Sequence, residues 1–160
     1  MSRERQKATY KTTLVALTAL GLGAMAIAAD ESGPRFPDSY RQWTVAKFRF
    51  ESKGALRYHY ANPQAFASWG KFSDGSIIVD EKVHAKLGDD GTWREEGIAH
   101  VAVMRKDPMA HADTGGWYFN FFAENDRSKG LTPEQAKARC FDACHKAQEA
   151  RDYVFSDPRR

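Results

Sequence analysis

The only two cysteines of the 160-residue chain lie close together and are followed at once by a histidine. The stretch ARCFDACHKAQEARDYVFS contains Cys140 and Cys144, with His145 directly after the second cysteine. Two thiols can form thioethers to a haem, and an imidazole immediately beyond them can bind its iron. The usual attachment signature has two residues between the cysteines, whereas this chain has three. The motif alone therefore leaves four alternatives open: covalent haem, a disulfide, a metal site and two inert thiols.

The start of the chain is typical of a secretory signal peptide. Four basic residues lie among the first 11, and residues 14–28 (LVALTALGLGAMAIA) form an apolar run that ends in a small-x-small cleavage site. The run is shorter than the roughly 20 residues of a membrane-spanning helix. We therefore expect cleavage near Ala28, export to the periplasm and a mature domain over residues 29–160, with no membrane segment after cleavage.

The positive net charge of the chain belongs to this leader. The whole sequence has 24 Lys and Arg against 21 Asp and Glu, and residues 1–28 hold four of the bases and one of the acids, which leaves 20 of each. A balanced charge gives no indication of nucleic acid or an anionic membrane as a partner. A mature chain of roughly 130 residues is the size of one domain.

Three of the four alternatives for the cysteines meet a physical objection. A disulfide between positions i and i+4 of a regular helix is at the limit of acceptable Cα separation and closes almost no loop. A structural zinc site needs four ligands, and no second Cys or His pair occurs at finger-like spacing. Two inert thiols would be unusual in an exported protein. These objections favour haem without excluding the rest.

Short strands precede the cysteines. Alternating or β-branched stretches predict strands at 44–50 (TVAKFRF), 56–60 (LRYHY), 76–79 (SIIV), 98–104 (IAHVAVM) and 117–122 (WYFNFF). Asn62-Pro63 predicts the start of a short helix that ends at Gly70, and residues 88–91 predict a loop. Five strands before one long helix indicate an α+β fold with a mainly antiparallel sheet.

The long helix is predicted to carry the cysteines. The stretch TPEQ (132–135) is a capping box with proline at the first helical position, so the helix should span about 133–150. On a regular helix Cys140 and Cys144 share a face, and His145 lies about 100° further round. The helix therefore presents both thiols to one side of the domain.

Five further stretches occur in a characteristic order: FPDSYRQW (36–43), ALRYHYANPQAFASWGKFSDGSIIV (55–79), VMRKDP (103–108), TGGWYFNFF (114–122) and CHKAQEARDYVFS (144–156). Together they resemble the cytochrome P-460 and cytochrome c′-beta superfamily of exported mono-haem proteins. The resemblance implies a mainly antiparallel sheet, one covalent haem c on Cys140, Cys144 and His145, and usually a homodimer. The extra residue between the cysteines implies either a local bulge in the helix or a different geometry for one thioether.

The superfamily has two chemical branches. The P-460 branch resembles an oxidase of hydroxylamine, with a lysine cross-linked to the porphyrin and a distal glutamate. In the alignment, Asp80 stands in place of that lysine and Ala102 in place of that glutamate. A slipped alignment would make Lys82 the cross-link and His100 the base. The plainer interpretations are that Lys82 is a solvated charge at the end of the strand and that His100 is a structural histidine. Without a positioned base, proton removal loses a factor of roughly 10²–10⁴, so the resemblance implies slow or absent hydroxylamine oxidation.

The cytochrome c′-beta branch has a five-coordinate iron beneath an apolar distal pocket capped by phenylalanines, and it binds nitric oxide and carbon monoxide. The resemblance makes Phe48, Phe50, Phe72 and Ala102 the candidates for this pocket, although strand aromatics are more often plain core. Arg57 matches an arginine near the pocket that could stabilise an anionic ligand, or it forms an ordinary ion pair. We expect this branch's function, with a hydroxylamine or nitric oxide oxidoreductase as the alternative enzyme.

Electron transfer is a different class of function and depends on a sixth iron ligand. Methionine ligation would raise the reduction potential and make the protein an electron carrier with a periplasmic cytochrome as redox partner. Met104 fits a core position in a strand, and Met109 follows a proline in a predicted loop. Neither position favours ligation, and the carrier stays the second alternative.

Overall fold

The structure is a computed structural model that describes residues 37, 39–51, 54–123, 126 and 128–155. These residues belong to the second of the two units into which the chain divides, Glu31–Arg160. The predicted signal peptide lies outside the described residues. Among the described residues, no helix has the length and apolar character needed to span a membrane.

Five strands form one sheet. They are β1 (Thr44–Glu51), β2 (Ala55–Ala61), β3 (Ile77–Leu87), β4 (Trp93–Lys106) and β5 (Trp117–Ala123). Each strand pairs antiparallel with the next one in the chain, so the order across the sheet is the order in the sequence. This confirms the predicted α+β fold with a mainly antiparallel sheet.

Strand β3 is longer than the sequence pattern predicts. It continues past Val79 to Leu87, and in this extension Val83 and Ala85 are buried while His84 and Lys86 are exposed. Such alternation is typical of a strand with one face in the core and the other towards solvent. A search for apolar runs misses the extension because it begins with three consecutive charged residues, Asp80, Glu81 and Lys82.

The two faces of the sheet carry separate hydrophobic clusters. One face of the sheet packs against the segment that contains the cysteines, and we call it the C-terminal face. Its cluster combines residues of the sheet with two residues of that segment: Ala61, Ile78, Met104, Trp117 and Phe119 from the sheet, and Phe141 and Val154 from the segment. What we call the back face carries Tyr60, Val79, Val101, Val103 and Phe122, covered by Tyr40. Residues paired across strands share a face, so the strand register assigns each side chain to one side.

One carboxylate is fully buried on the back face. Glu81 accepts hydrogen bonds from the hydroxyl groups of Tyr40 and Tyr60 and from the guanidinium of Arg41, whose Nη2 lies 2.7 Å from Oε1. A buried charge is tolerated when hydrogen bonds and an opposite charge replace its water. Glu81 therefore fastens the short 3₁₀ helix Tyr40–Gln42 to the centre of the sheet.

In the described part of the chain, two short α-helices accompany the sheet. Helix α1 (Pro63–Ala67) begins at Asn62, whose Oδ1 accepts hydrogen bonds from Ala65 N at 2.9 Å and from Ile77 N at 3.0 Å. Helix α2 (Pro133–Ala136) begins with the predicted capping box. The Asn62 side chain thus joins α1 to the start of β3.

The predicted helix over 133–150 begins at Pro133 as expected, but it is a regular α-helix only in its first turn. After α2 the chain continues as a π-helix, Lys137–Asp142, and then as a 3₁₀ helix, His145–Arg151. Cys144 separates the two with φ −133° and ψ −62°, outside the helical region. The expected 100° between Cys144 and His145 therefore does not apply.

Candidate functional site

The π-helix accommodates the extra residue between the cysteines. Ala143 N donates to Ala138 O, five residues earlier, at 3.2 Å, where an α-helix would use the carbonyl four residues earlier. A turn closed in this way contains one residue more than an α-helical turn. The structure thus has the local bulge that a three-residue spacer implied.

The two thiols have different surroundings. Both are free, and Cys144 is exposed whereas Cys140 is half-buried against the cluster of the C-terminal face. Burial raises the pKa of the Cys140 thiol. The thiol of Cys144 is therefore open to a large reaction partner, while Cys140 borders the interior of the domain.

The imidazole of His145 is held in one protonation form. Its Nδ1 lies 2.7 Å from the carbonyl oxygen of Tyr153, and because a carbonyl only accepts, Nδ1 carries the proton and Nε2 keeps its lone pair. The ring also contacts Phe119 and Phe155, with centroids 4.9 and 5.0 Å away. Burial lowers the pKa of His145, opposed in part by the Tyr153 carbonyl and the charge of Asp80. A neutral imidazole with a free Nε2 is the form that binds iron.

Charged side chains occupy the C-terminal face on β1, β2 and β3. Arg57 is bound on both sides: its Nε lies 2.7 Å from Oε1 of Glu51 and its Nη1 2.8 Å from Oδ2 of Asp80. Lys82 Nζ lies 2.9 Å from Oε2 of Glu51, which is the main reason that the pKa of Glu51 is lowered. The contacts of Arg57 are those of the ion pair in its plainer interpretation. Lys82, whose plainer interpretation was a solvated charge at the end of the strand, is also ion-paired.

Asp80 and Ala102 lie side by side, as partners in the β3–β4 register. Oδ2 of Asp80 is bound by Arg57, whereas Oδ1 is buried and has no hydrogen-bond partner among the described residues. Asp80 lies two residues after Ile78 on β3, and Ile78 belongs to the same cluster as Phe119, which contacts His145, so this carboxylate lies on the side of the sheet that faces the imidazole. An unpaired buried carboxylate oxygen can accept a hydrogen bond or a proton.

Two histidines border this charged group. His100 is the register partner of Lys82, and its ring centroid lies 4.9 Å from that of Phe121. His59 Nε2 lies 3.7 Å from Oδ2 of Asp80. Burial is the largest cause of a lowered pKa in both histidines. Both therefore favour the neutral form at the C-terminal face.

The prediction that Phe48 and Phe50 cap the site is corrected by the register. Both project from the back face, where Phe48 contacts Tyr58 at 5.1 Å and Phe50 contacts Trp93 at 4.8 Å between ring centroids. His145 packs on Phe119 of the opposite face, and side chains on one face of a sheet cannot line a pocket on the other. These two phenylalanines therefore do not cap the site in this chain.

Phe72 and Met104 lie on the C-terminal face, the same face as His145. Phe72 is buried in the cluster of the C-terminal face, between Trp69 and Trp117 with both ring centroids 5.2 Å away. Met104 belongs to the same cluster, whereas Met109 is 96% exposed. Phe72 and Met104 thus contribute to the core beneath the site, and Met109 lies outside it.

Sequence reasoning missed the group that orients the imidazole. The acceptor for His145 is the backbone carbonyl of Tyr153, eight residues along the chain. A backbone carbonyl gives no signal in residue type, and its position depends on the positive φ of Asp152 (50°) and Tyr153 (63°). In the described part of the chain, no group of three or more His, Cys, Asp or Glu side chains is placed to hold a metal ion.

Comparison with known proteins gives one positive and one negative finding. A family model described as Cytochrome P460 matches residues 37–156. The match includes all five strands and the segment with Cys140, Cys144 and His145. No curated protein matches the chain.

Proposed function

The chain belongs to the cytochrome P460 family, which supports a c-type haem protein, and we propose that it is an exported mono-haem protein whose five-coordinate iron binds small neutral ligands such as nitric oxide or carbon monoxide. The proposal includes the periplasm as the compartment, a cytochrome as a possible redox partner, and a homodimer as the assembly. The pairing of Arg57 with Glu51 and Asp80 is the observation that carries the choice of neutral ligands.

The residues present fit a covalent haem. Cys144 offers an exposed thiol, and Cys140, which lies within the π-helix, offers a second one. His145 offers Nε2, because its Nδ1 is engaged with Tyr153 O at 2.7 Å. When bound, the haem supplies an iron with an open coordination position. The chain's own contribution is to hold the imidazole neutral and pointed in one direction.

The charges on the C-terminal face argue for neutral ligands. An arginine near the ligand would stabilise an anion only if its own charge were free to act. Here Glu51 and Asp80 approach Arg57 at 2.7 and 2.8 Å, so its positive charge faces two carboxylates, of which Glu51 is shared with Lys82 at 2.9 Å. Ala102, next to Asp80 in the register, adds no charge and no donor. The binding of nitric oxide or carbon monoxide, which carry no charge, is not weakened by these charges. An anion is attracted only weakly by Arg57 and is repelled by the carboxylates.

The first test concerns the covalent haem. Protein produced together with a haem-attachment system should keep its colour with the polypeptide after acid–acetone extraction. Cys144→Ala should remove most of that colour, because it deletes the exposed thiol beside His145, and Cys140→Ala should leave one thioether. Haem that extracts freely from the wild-type protein, or a colourless protein, would overturn the proposal.

The spectrum of the same protein tests the coordination of the iron. We expect a high-spin, five-coordinate ferrous form that binds carbon monoxide and nitric oxide. A low-spin ferrous form with a methionine–iron charge-transfer band in the ferric state, lost in Met104→Leu, would instead support the electron carrier. Met109→Leu is the control for Met104→Leu and should leave the spectrum unchanged, since Met109 is 96% exposed.

A second candidate function, oxidation of hydroxylamine, is favoured by one observation. Oδ1 of Asp80 is buried and without a partner among the described residues, so a carboxylate is present that could take a proton. The amine of Lys82, the candidate for a cross-link, lies 2.9 Å from Glu51. Turnover of hydroxylamine that disappears in Asp80→Asn would favour this enzyme. A red-shifted Soret band in an active wild type that becomes an ordinary haem c spectrum in Lys82→Ala would identify the cross-link.

A further inference from the structure

Asp152 is bound by three separate parts of the domain. Its Oδ1 lies 2.5 Å from Nζ of Lys106, at the end of β4, and accepts a hydrogen bond from Trp117 Nε1 at 3.2 Å. Oδ2 accepts a hydrogen bond from Phe72 N at 3.1 Å, and the Asp152 carbonyl accepts a second one from Trp117 Nε1 at 3.0 Å. A side chain bonded to three elements at once fixes the backbone that carries it.

Lys106, the ion-pair partner of Asp152, is itself buried and fixed by further contacts. Lys106 is 8% exposed, donates to Gly115 O at 3.1 Å as well as to Asp152, and lies 4.9 Å from the centroid of the fully buried Trp117 ring. A lysine with so little water around its charge depends on its carboxylate partner. The side chains of Lys106 and Asp152 are 10% and 19% exposed, so this ion pair is largely shielded from water and differs from a surface contact.

The anchored residue directly precedes the group that holds His145. Asp152 (φ 50°) and Tyr153 (φ 63°) both adopt the left-handed region, where residues other than glycine need support from their surroundings. The Tyr153 ring lies over Gly115, where an added Cβ would come within 2.0 Å of it. The carbonyl of Tyr153, held from both sides in this way, meets His145 Nδ1 at 2.7 Å.

We propose that Asp152 is a positioning residue for His145: through its ion pair with Lys106 and its bonds to Trp117 and Phe72, it fixes the Tyr153 carbonyl and so sets the direction and the donor strength of Nε2. The inference rests on the proposed function, in which Nε2 binds the haem iron. A firm acceptor on Nδ1 increases the basicity of an iron-bound imidazole and stabilises the ferric state.

The test uses Asp152→Asn in the haem-loaded protein. Asparagine tolerates the left-handed conformation and keeps the size of the side chain, but it removes the charge that binds Lys106. We expect a downward shift of the iron–histidine stretching band in the resonance Raman spectrum of the ferrous protein and a higher reduction potential. Should Asp152→Asn not accumulate, Lys106→Gln removes the other half of the ion pair and carries the same expectation.

Two controls separate positioning from general destabilisation. Asp126→Asn removes the exposed partner of Lys129, a surface ion pair at 3.2 Å, and should leave both values unchanged. Tyr153→Phe keeps the carbonyl and should also leave the band in place. A covalent haem with the same band and potential in Asp152→Asn as in the wild type would overturn this inference alone. A wild type without covalent haem would overturn the proposed function and the inference together.

Discussion

In the proposed function, the charges around Arg57 determine which class of ligand the site favours. The guanidinium is bound by Glu51 and by Asp80, and the second oxygen of Asp80 is left without a partner among the described residues. Replacing Asp80 by a neutral residue of the same shape would remove one negative charge and leave Arg57 with a single carboxylate partner. Both effects favour an anion at the site.

We therefore predict that Asp80→Asn strengthens the binding of azide to the ferric protein by about tenfold. This corresponds to about 1.4 kcal/mol, which is the Coulomb energy of two unit charges about 12 Å apart at an effective dielectric constant of about 20. The affinity of the ferrous protein for carbon monoxide should change less than about twofold, since a neutral ligand gains nothing from the lost charge. Spectrophotometric titrations with the two ligands measure both values.

Asp89→Asn is the matched control for this prediction. Asp89 is exposed in the loop between β3 and β4, so its neutralisation should leave both affinities unchanged. Equal azide affinities in the wild type and Asp80→Asn would show that Asp80 does not act on the ligand position. The charge argument for neutral ligands would then fail.

The candidate ligands show which properties of single residues a sequence can predict. The order Cys140, Cys144, His145 is visible as residue types, and in the structure the imidazole is neutral with Nε2 free. The roles of Tyr153 and Asp152 are not visible, because one acts through a backbone carbonyl and the other through Lys106, which is 46 residues away. Contacts of this kind depend on the fold and not on local spacing.

At the scale of elements, the π-helix Lys137–Asp142 explains how a three-residue spacer can serve where two residues are usual. A π-helix is rare and costs more than an α-helix, so its presence in a short segment points to a local requirement. The sequence KARCFD contains ordinary helix-forming residues and does not distinguish the two geometries. This is the physical reason that a continuous α-helix was the natural prediction.

Deleting Ala143 should convert the spacer to the usual length without loss of the haem. Ala143 is exposed, and its N–H closes the five-residue turn to Ala138 O at 3.2 Å. Without it an α-helical turn can form, so we expect covalent attachment at the wild-type level, with both thioethers present. Intact-protein mass and the absorbance retained after acid–acetone extraction measure this.

Deletion of Ala147 is the control, because it removes an equally exposed alanine from the other side of His145. It shortens the path between His145 and Tyr153 and should cost the hydrogen bond at Nδ1, and with it the normal iron spectrum. If the Ala143 deletion instead loses one thioether, the site needs three residues between its cysteines, and the π-helix is part of the attachment geometry.

The strands illustrate a second limit of sequence reasoning. The alternation in TVAKFRF and the aromatic run WYFNFF are sufficient to predict β1 and β5, and both occur as strands. A period of two says that Phe48 and Phe50 share a face, but it does not say which face lies towards His145. That choice depends on the β1–β2 register, in which Phe48 pairs with Tyr58. The expectation for the two phenylalanines failed at this step and not in the strand assignment.

At the scale of the whole molecule, the sheet separates two surfaces. The C-terminal face carries His145, its aromatic neighbours and the charged group around Asp80. The back face carries a buried cluster over its centre, but towards β1 its side chains are exposed: Val45, Phe48, Phe50, Leu87 and Trp93 are between 40% and 54% exposed. Strand β1 is also an edge of the sheet. Contiguous apolar surface beside an open strand edge is typical of a contact between protein chains.

We expect a homodimer that buries this apolar part of the back face, in a two-fold arrangement that places the same surface on both partners. The double change Phe48→Lys and Phe50→Lys removes two large apolar side chains, each worth about 1.5–3 kcal/mol when fully buried, and brings four like charges together in the dimer. It should therefore give a monomer by light scattering after size exclusion, with the haem spectrum unchanged because both residues lie on the face away from His145.

Phe66→Lys is the matched control: Phe66 is 46% exposed but belongs to α1, so this variant should remain a dimer. A monomeric wild type, or a double variant that is still dimeric, would show that the exposed phenylalanines of β1 are not the contact surface.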